Sequence, residues 1–308
     1  PTRPTNTFDW DAEFPHTKKT IPGAEYNEKA AKKHRVMDYE AIQQFMESDD
    51  PRPYCLFVAS SLPHGPVLSK IENGLEGYPA NNWTTDKQFE WYMDVLEKSG
   101  KKENTLIIYV SDNGSNTPRS KYTLYEPGVH IPMIVSWPGK IKPNSVCDAL
   151  VDFTDVMPTL MAINGAEPLK EMDGENMLPL FEGTKTDIHE DIFLSFTELG
   201  VIDVFEPYPI RGVVTKQYKL LHYLNHKIEP PKGSDVGKAD EHQLFDLVKD
   251  PQEQNNLFYD SQFQNVKKDM LGRLEKWQKE VGDKGMETEY EAIEMFPEIK
   301  DKVKRIEN

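Results

Sequence analysis

Three short stretches of the chain carry side chains suited to a hard cation or an oxyanion. The first is Val110-Ser111-Asp112-Asn113-Gly114, where an apolar run ends on a carboxylate, an amide and a glycine. Asp and Asn side-chain oxygens are the hard donors that Ca²⁺ or Mg²⁺ takes, and glycine permits a sharp exit from the preceding element. The second is Ser61-Leu62-Pro63-His64-Gly65-Pro66, two prolines and a glycine around one imidazole. Near neutral pH that ring can give up a proton or meet an anion. The third runs from Lys121 to Pro132, and its lysine could neutralise a bound oxyanion. Taken singly, each has an ordinary reading: Asp-Asn-Gly is a common turn, a loop histidine needs no ligand, and an isolated lysine is usually solvated.

These residues need elements to hold them. Met37, Ile42, Phe45 and Met46 suit a helix that Asp49-Asp50-Pro51 stops. Leu56–Ser60 is a short apolar run, expected as a buried strand. A helix is predicted over about Thr85–Ser99, with Phe89, Tyr92, Met93 and Leu96 on one face and Gly100 as its stop. Thr105–Val110 and Ile131–Trp137 read as further strands, and Thr154–Ile163 as a helix. Strands alternating with helices predict an α/β fold with a parallel-rich sheet flanked by helices. Asp112, Asn113 and His64 would then stand at the sheet's C-terminal edge, where open α/β folds bind ligands.

The pattern changes after about Pro179. Asp191–Phe196, Ile210–Thr215, Tyr218–Tyr223 and Gln243–Asp246 fit a small antiparallel sheet. A helix over about Ser261–Val281 places Phe263, Val266, Met270, Leu274 and Trp277 on one face, to pack onto that sheet. The expected division is therefore a main α/β region over 1–180 and a smaller α+β subdomain over 181–308. Residues 1–35 read as a long surface stretch, and the charged tail beyond Asp283 is given no element.

Composition narrows the partners. With 36 basic against 52 acidic residues, the 308-residue chain has a formal charge of -16, which argues against a nucleic-acid partner. No apolar run approaches the roughly 20 residues that span a bilayer, so no membrane partner is expected. Cys55 and Cys147 have no metal-ligand spacing, and Cys55, within Tyr54-Cys55-Leu56-Phe57-Val58-Ala59, is expected to be buried as a small hydrophobe.

The order of the three stretches, together with several motifs nearer the C-terminus, resembles the sulfatase family of the alkaline-phosphatase superfamily. Ser61–Pro66 is similar to its Ala-Pro-His-x-Pro loop, and Val110–Gly114 to the strand ending in Ser-Asp-Asn-Gly. Lys121–Pro132 is similar to its Lys followed five residues later by Glu-Gly-Gly-x-Arg-x-Pro, with Pro127 for the first Gly and His130 for the Arg. Pro132–Ile141 resembles Pro-x-Ile-Val-x-Trp-Pro-Gly-x-Ile, and Asp155–Leu160 and Asp173–Pro179 match Asp-x-x-Pro-Thr-Leu and Asp-Gly-x-Ser-Leu-x-Pro. Arg211–Leu220 and Gln243–Leu257 match two motifs of the smaller domain, and Tyr208-Pro209-Ile210-Arg211 adds a fainter similarity to the heparan N-sulfatase-like branch.

The resemblance implies an alkaline-phosphatase-like fold and a sulfuric ester or sulfamate hydrolase acting on a sulfated small molecule or glycan. It implies Asp112 and Asn113 as metal ligands, and His64 and Lys121 as catalytic residues contacting the sulfate. The cofactors implied are a divalent metal, Ca²⁺ first, and a formylglycine made within a Cys/Ser-x-Pro/Ala-x-Arg motif. A periplasmic, extracellular or lysosomal location goes with the family. No stretch here fits the nucleophile motif: Cys147–Val151 ends in Val where Arg is needed, and Ser115–Arg119 has Thr at the small third position. The N-terminal Asp-Asp metal pair also has no counterpart, since Asp49-Asp50 lies in the wrong place. The sequence is thus expected to be the C-terminal portion of such an enzyme, incomplete at the N-terminus, with the missing segment as its partner. Two alternatives stay open: a phosphonate or phosphodiester hydrolase of the same superfamily, and a non-catalytic sulfatase-like module.

Overall fold

The structure is a computed structural model, and it describes residues 39–60, 62–64, 74–115, 117–197, 209–224 and 242–294. The expected surface stretch at 1–35 lies outside these residues. The chain divides into two compact units, Pro1–Thr105 and Leu106–Asn308, taken separately below.

The regular elements described in the first unit are helices. Helix α1 (Tyr39–Met46) buries Ile42 and Met46, and α2 (Gly77–Lys98) buries Ala80, Val95 and Leu96. Tyr39 meets Trp91 edge-on at 4.7 Å, and burial pushes its phenol up to about 12. Lys101 closes the end of α1, donating to the carbonyls of Met46 (2.9 Å) and Ser48 (2.7 Å), which satisfies acceptors that a helix C-terminus leaves open.

Two expectations fail in this unit. Leu56–Ser60 is not a strand, and Cys55 is exposed rather than buried, as is Phe57 at 76 %. An apolar run becomes a strand only when a neighbouring backbone takes its N–H and C=O groups, and no described segment pairs with this one. Its residues alternate between half-buried and exposed instead.

The described residues of the second unit form two sheets. Strands β1 (Ile107–Val110) and β2 (Met133–Ser136) pair antiparallel, Val110 opposite Met133 and Ile107 opposite Ser136. The parallel pairing expected for these strands is thereby corrected. A continuous apolar run records burial and carries no information on strand direction. Between the strands lies the single helical turn α3 (Glu126–Val129). Helix α4 (Val156–Ile163) follows a 3₁₀ turn at Phe153–Asp155, and α5 (Leu178–Phe181) is one further turn.

The other sheet has β3 (Ile192–Phe196), β4 (Ile210–Val214), β5 (Tyr218–Tyr223) and β6 (Gln243–Asp246) in sequential antiparallel order. Alternation along each strand sends side chains to two faces. On one face Val213, Leu220 and Leu244 meet Met270 and Leu274 of α6 (Gln264–Val281), and Phe193 stacks on Trp277 at 5.1 Å. On the other, Ile210, Leu221, Tyr223 and Phe245 pack with Leu124 and Tyr125 from the segment that carries Lys121. Gly282, with φ 75°, ends α6 in the left-handed conformation that glycine adopts without strain. The tail left without an element in fact forms helix α7 (Met286–Glu294).

Candidate functional site

The exit from β1 is fixed by close backbone approach. Gly114 N–H donates to the carbonyl of Gly128 at 3.0 Å. A Cβ on Gly114 would stand 2.0 Å from the Pro127 oxygen and 2.3 Å from Ser120 Oγ; one on Gly128 would stand 2.5 Å from the Ser120 oxygen. The glycine of Asp-Asn-Gly is thus demanded by packing against the next loop, which an isolated turn would not require. Ser111 Oγ donates to the Asn113 carbonyl at 2.8 Å and tightens the turn.

That turn leaves Asp112 exposed, its carboxylate unpartnered among the described residues, with Asn113 beside it half-buried. The same loop returns Lys121 to this point, because Lys121 N–H donates to the Ser115 carbonyl at 3.1 Å. The Lys121 ammonium lies 5.3 Å from the Tyr122 ring centroid, and no carboxylate among the described residues ion-pairs with it. The structure therefore gathers Asp112, Asn113 and Lys121 around one backbone knot. His64 belongs to the first unit. There Asn81 Nδ2 donates to the carbonyls of Pro63 (3.0 Å) and His64 (3.2 Å), fixing the loop while the imidazole stays exposed.

Sequence reasoning missed the ionic groups behind this loop. Glu126 receives His130 Nδ1 at 2.8 Å and the Lys219 ammonium at 2.5 Å; Lys219 also ion-pairs with Glu253 at 2.9 Å, both side chains fully buried. The contacts of Lys219 are ion pairs rather than well-aligned hydrogen bonds. A signal was available: Lys219, Leu221 and Tyr223 share one strand face, so a charge stands at an apolar position. Asp155, in the Asp-x-x-Pro-Thr stretch, is likewise structural. Its buried carboxylate accepts from the amides of Asp152 (2.9 Å) and Glu175 (2.7 Å) and contacts His189 Nε2 at 2.9 Å.

The His130–Glu126 contact predicts a pH dependence. Burial opposes ionisation of Glu126, but the His130 hydrogen bond and the Lys219 charge outweigh it and bring the carboxyl from 4.5 down to about 2. The same hydrogen bond raises His130 from its usual 6.5. The glutamate contribution is complete above about 4.5 and lost as pH falls toward 2; the histidine contribution is complete below 6.5 and lost as pH rises past its raised value. Their joint contribution is greatest between those limits. Because His130 is mostly exposed, it is worth no more than about 1 kcal/mol. His130→Asn should lower Tm by about 1–3 °C near pH 5.5 and by less near pH 9; equal losses in thermal melts at both pH values would contradict this.

Comparison with known proteins adds the family. Residues 3–166 match the family described as Sulfatase, and residues 119–280 match N-sulphoglucosamine sulphohydrolase, C-terminal. The chain belongs to the sulfatase family. An ulvan-active sulfatase of Formosa agariphila is 28 % identical over 91 % of this chain and 61 % of its own length. Human N-sulphoglucosamine sulphohydrolase is 24 % identical over 79 % of this chain and 64 % of its own. The solved structure of BT4656 in complex with its substrate D-glucosamine-2-N,6-O-disulfate superposes with a TM-score of 0.57 at 25 % identity, covering 68 % of this chain and 41 % of that one. This chain thus spans less than two thirds of each of these relatives. Its fold is the alkaline-phosphatase-like α/β fold shared by solved sulfatases.

Proposed function

We propose that the protein bearing this chain hydrolyses sulfuric esters or sulfamates of a sulfated carbohydrate, with a sulfated glucosamine as the first candidate. The observation that carries this reading is the knot at the end of β1. There an exposed carboxylate and an ammonium, neither neutralised by an ion-pair partner among the described residues, are fixed by two glycines that accept no side chain. Family membership and relatives named for sulfated sugars support it.

In this reading Asp112 and Asn113 hold a divalent cation, Ca²⁺ in the first instance. Their oxygen donors fit such an ion but supply only part of the six to eight oxygens Ca²⁺ takes. When bound, a cation of this kind polarises the oxygens of the ester it meets. Lys121 neutralises charge growing on the sulfuryl oxygens, a role that a preorganised ammonium performs without reorganising at the moment of reaction. For His64, exposed on its loop in the first unit, the sulfate-contacting role rests on the family resemblance alone. No step is assigned to a nucleophile of this chain, since none of its stretches fits the formylglycine motif. The acidic composition argues against a nucleic-acid partner, and a periplasmic, extracellular or lysosomal setting suits the substrate.

The test is turnover by protein expressed from its complete coding sequence. N-sulfated and O-sulfated glucosamine should release sulfate, with a phosphodiester turned over far more slowly. Faster phosphodiester cleavage would transfer the site to phosphoryl chemistry, and inertness toward all three would leave a non-catalytic module.

A further inference from the structure

The loop presenting Lys121 is built onto the four-stranded sheet as well as onto the strand it leaves. Two attachments bracket the lysine. Before it, Arg119 stacks 4.0 Å above the Tyr125 ring and donates to the carbonyls of Gln252 (3.1 Å) and Glu253 (2.6 Å). After it, Glu126 N–H donates to Glu253 Oε2 at 2.7 Å while its carboxylate meets Lys219 at 2.5 Å. Lys219 projects from β5 on the face that Leu124 and Tyr125 cover, and its second carboxylate, Glu253, leads back to the same turn. We infer that Lys219, Glu253 and Arg119 are positioning residues for the Lys121 loop, so that the small sheet sets where the proposed sulfate-binding ammonium stands. The inference rests on the sulfate-binding reading of Lys121.

Two physical arguments support it. Arg119 (φ 56°) and Tyr122 (φ 67°) are non-glycine residues in the left-handed region; such conformations persist only where the surroundings over-determine them. The attachments to Glu253 and Gln252 supply that determination from outside the loop. Burying an ammonium between two carboxylates also carries a desolvation penalty that an apolar side chain would avoid. Its position fits a device that fixes one register of the loop on the sheet, since an apolar contact could slide.

The test uses hydrogen exchange on this chain and turnover on protein from the complete coding sequence. In Glu253→Ala, which removes the bond to Glu126 N–H and one of the two carboxylates around Lys219, amides of residues 119–130 should exchange at least about tenfold faster, and by a clearly larger factor than the amides of β4 and β5. Arg119→Gln disturbs no buried ion pair, keeps the fold, and should give the same local pattern. In turnover, Arg119→Gln should lower kcat about tenfold with a smaller change in KM, as expected when a group acting in the transition state is displaced. Unchanged exchange at 119–130 in both variants, or faster exchange spread equally through β4 and β5, overturns the inference. Lys121→Ala separates the two readings. If it leaves turnover intact while the local exchange pattern appears, the sulfate reading fails and the positioning stands. If it abolishes turnover while loop exchange is unmoved in both variants, the positioning alone fails.

Discussion

Lys121→Ala is expected to lower sulfate release by about 100-fold or more in the complete protein, the scale of losing one preorganised charge-stabilising donor. The ammonium is expected to face an oxygen whose charge grows toward the transition state, so kcat should fall further than KM rises. Lys140→Ala is the matched control. In the β1–β2 ladder Val110 faces Met133 and Ile107 faces Ser136, so the turn after Ser136 lies at the opposite end of the strand pair from Asp112. The three steps from Ile107 to Val110, at about 3.4 Å each, put roughly 10 Å between those ends. Lys140 is exposed there, its ammonium 5.9 Å from the Trp137 ring centroid, and its loss should leave turnover within about 3-fold and stability within about 0.5 kcal/mol. Equal kinetic losses from the two alanines would remove Lys121 from the sulfate pocket.

The contrast between these lysines also marks what sequence reading could reach. Strand limits at Tyr218–Tyr223 and Gln243–Asp246 were legible because each is a short apolar segment between turn residues, and α6 because its apolar positions recur every three or four residues. Asp112, Asn113 and Lys121 became candidates through their order along the chain, and the structure brings their loops together. Their convergence depends on Lys121 N–H reaching Ser115 and Gly114 reaching Gly128, contacts that no periodicity encodes. Strand direction was misread for β1 and β2, since burial leaves the same apolar signature in parallel and antiparallel strands. Leu56–Ser60 failed as a strand, and with it the burial of Cys55, because pairing is a property of the neighbour and not of the run. Helix α7 was passed over as a charged tail, although Met286, Tyr290 and Ile293 recur at four and three. The ionic groups were hidden for a simpler reason: Glu126, Lys219 and Glu253 are far apart in sequence, and each alone reads as a solvated charge.

The same separation hides the largest expected stability effect. Arg211 of β4 is nearly buried; its Nε meets Asp283 at 2.8 Å and a terminal nitrogen meets Glu289 of α7 at 2.7 Å, with a further contact to Asp283 at 3.2 Å. One guanidinium thereby ties the turn after α6 and the last described helix to the sheet, using the planar fork that suits paired carboxylates. Burial works against ionisation of Asp283, but the Arg211 hydrogen bond overrides it and holds the carboxyl below its usual value. Arg211→Met keeps much of the side-chain volume and leaves two carboxylates buried without their cation. Breaking a buried pair in this way costs about 3–5 kcal/mol, or a Tm loss of roughly 6–20 °C for a domain of this size. Arg273→Met is the comparison: Arg273 binds Asp191 at 2.8 Å and Asp269 at 2.9 Å but is about one third exposed, so its loss should cost under about 1 kcal/mol. The triple change Arg211→Met, Asp283→Asn, Glu289→Gln should recover part of the loss, because the penalty belongs to uncompensated charge more than to missing attraction. Thermal melts placing Arg211→Met and Arg273→Met within 2 °C of each other, a margin of under about 1 kcal/mol, would mean that the turn after α6 and helix α7 are held by packing rather than by this cation.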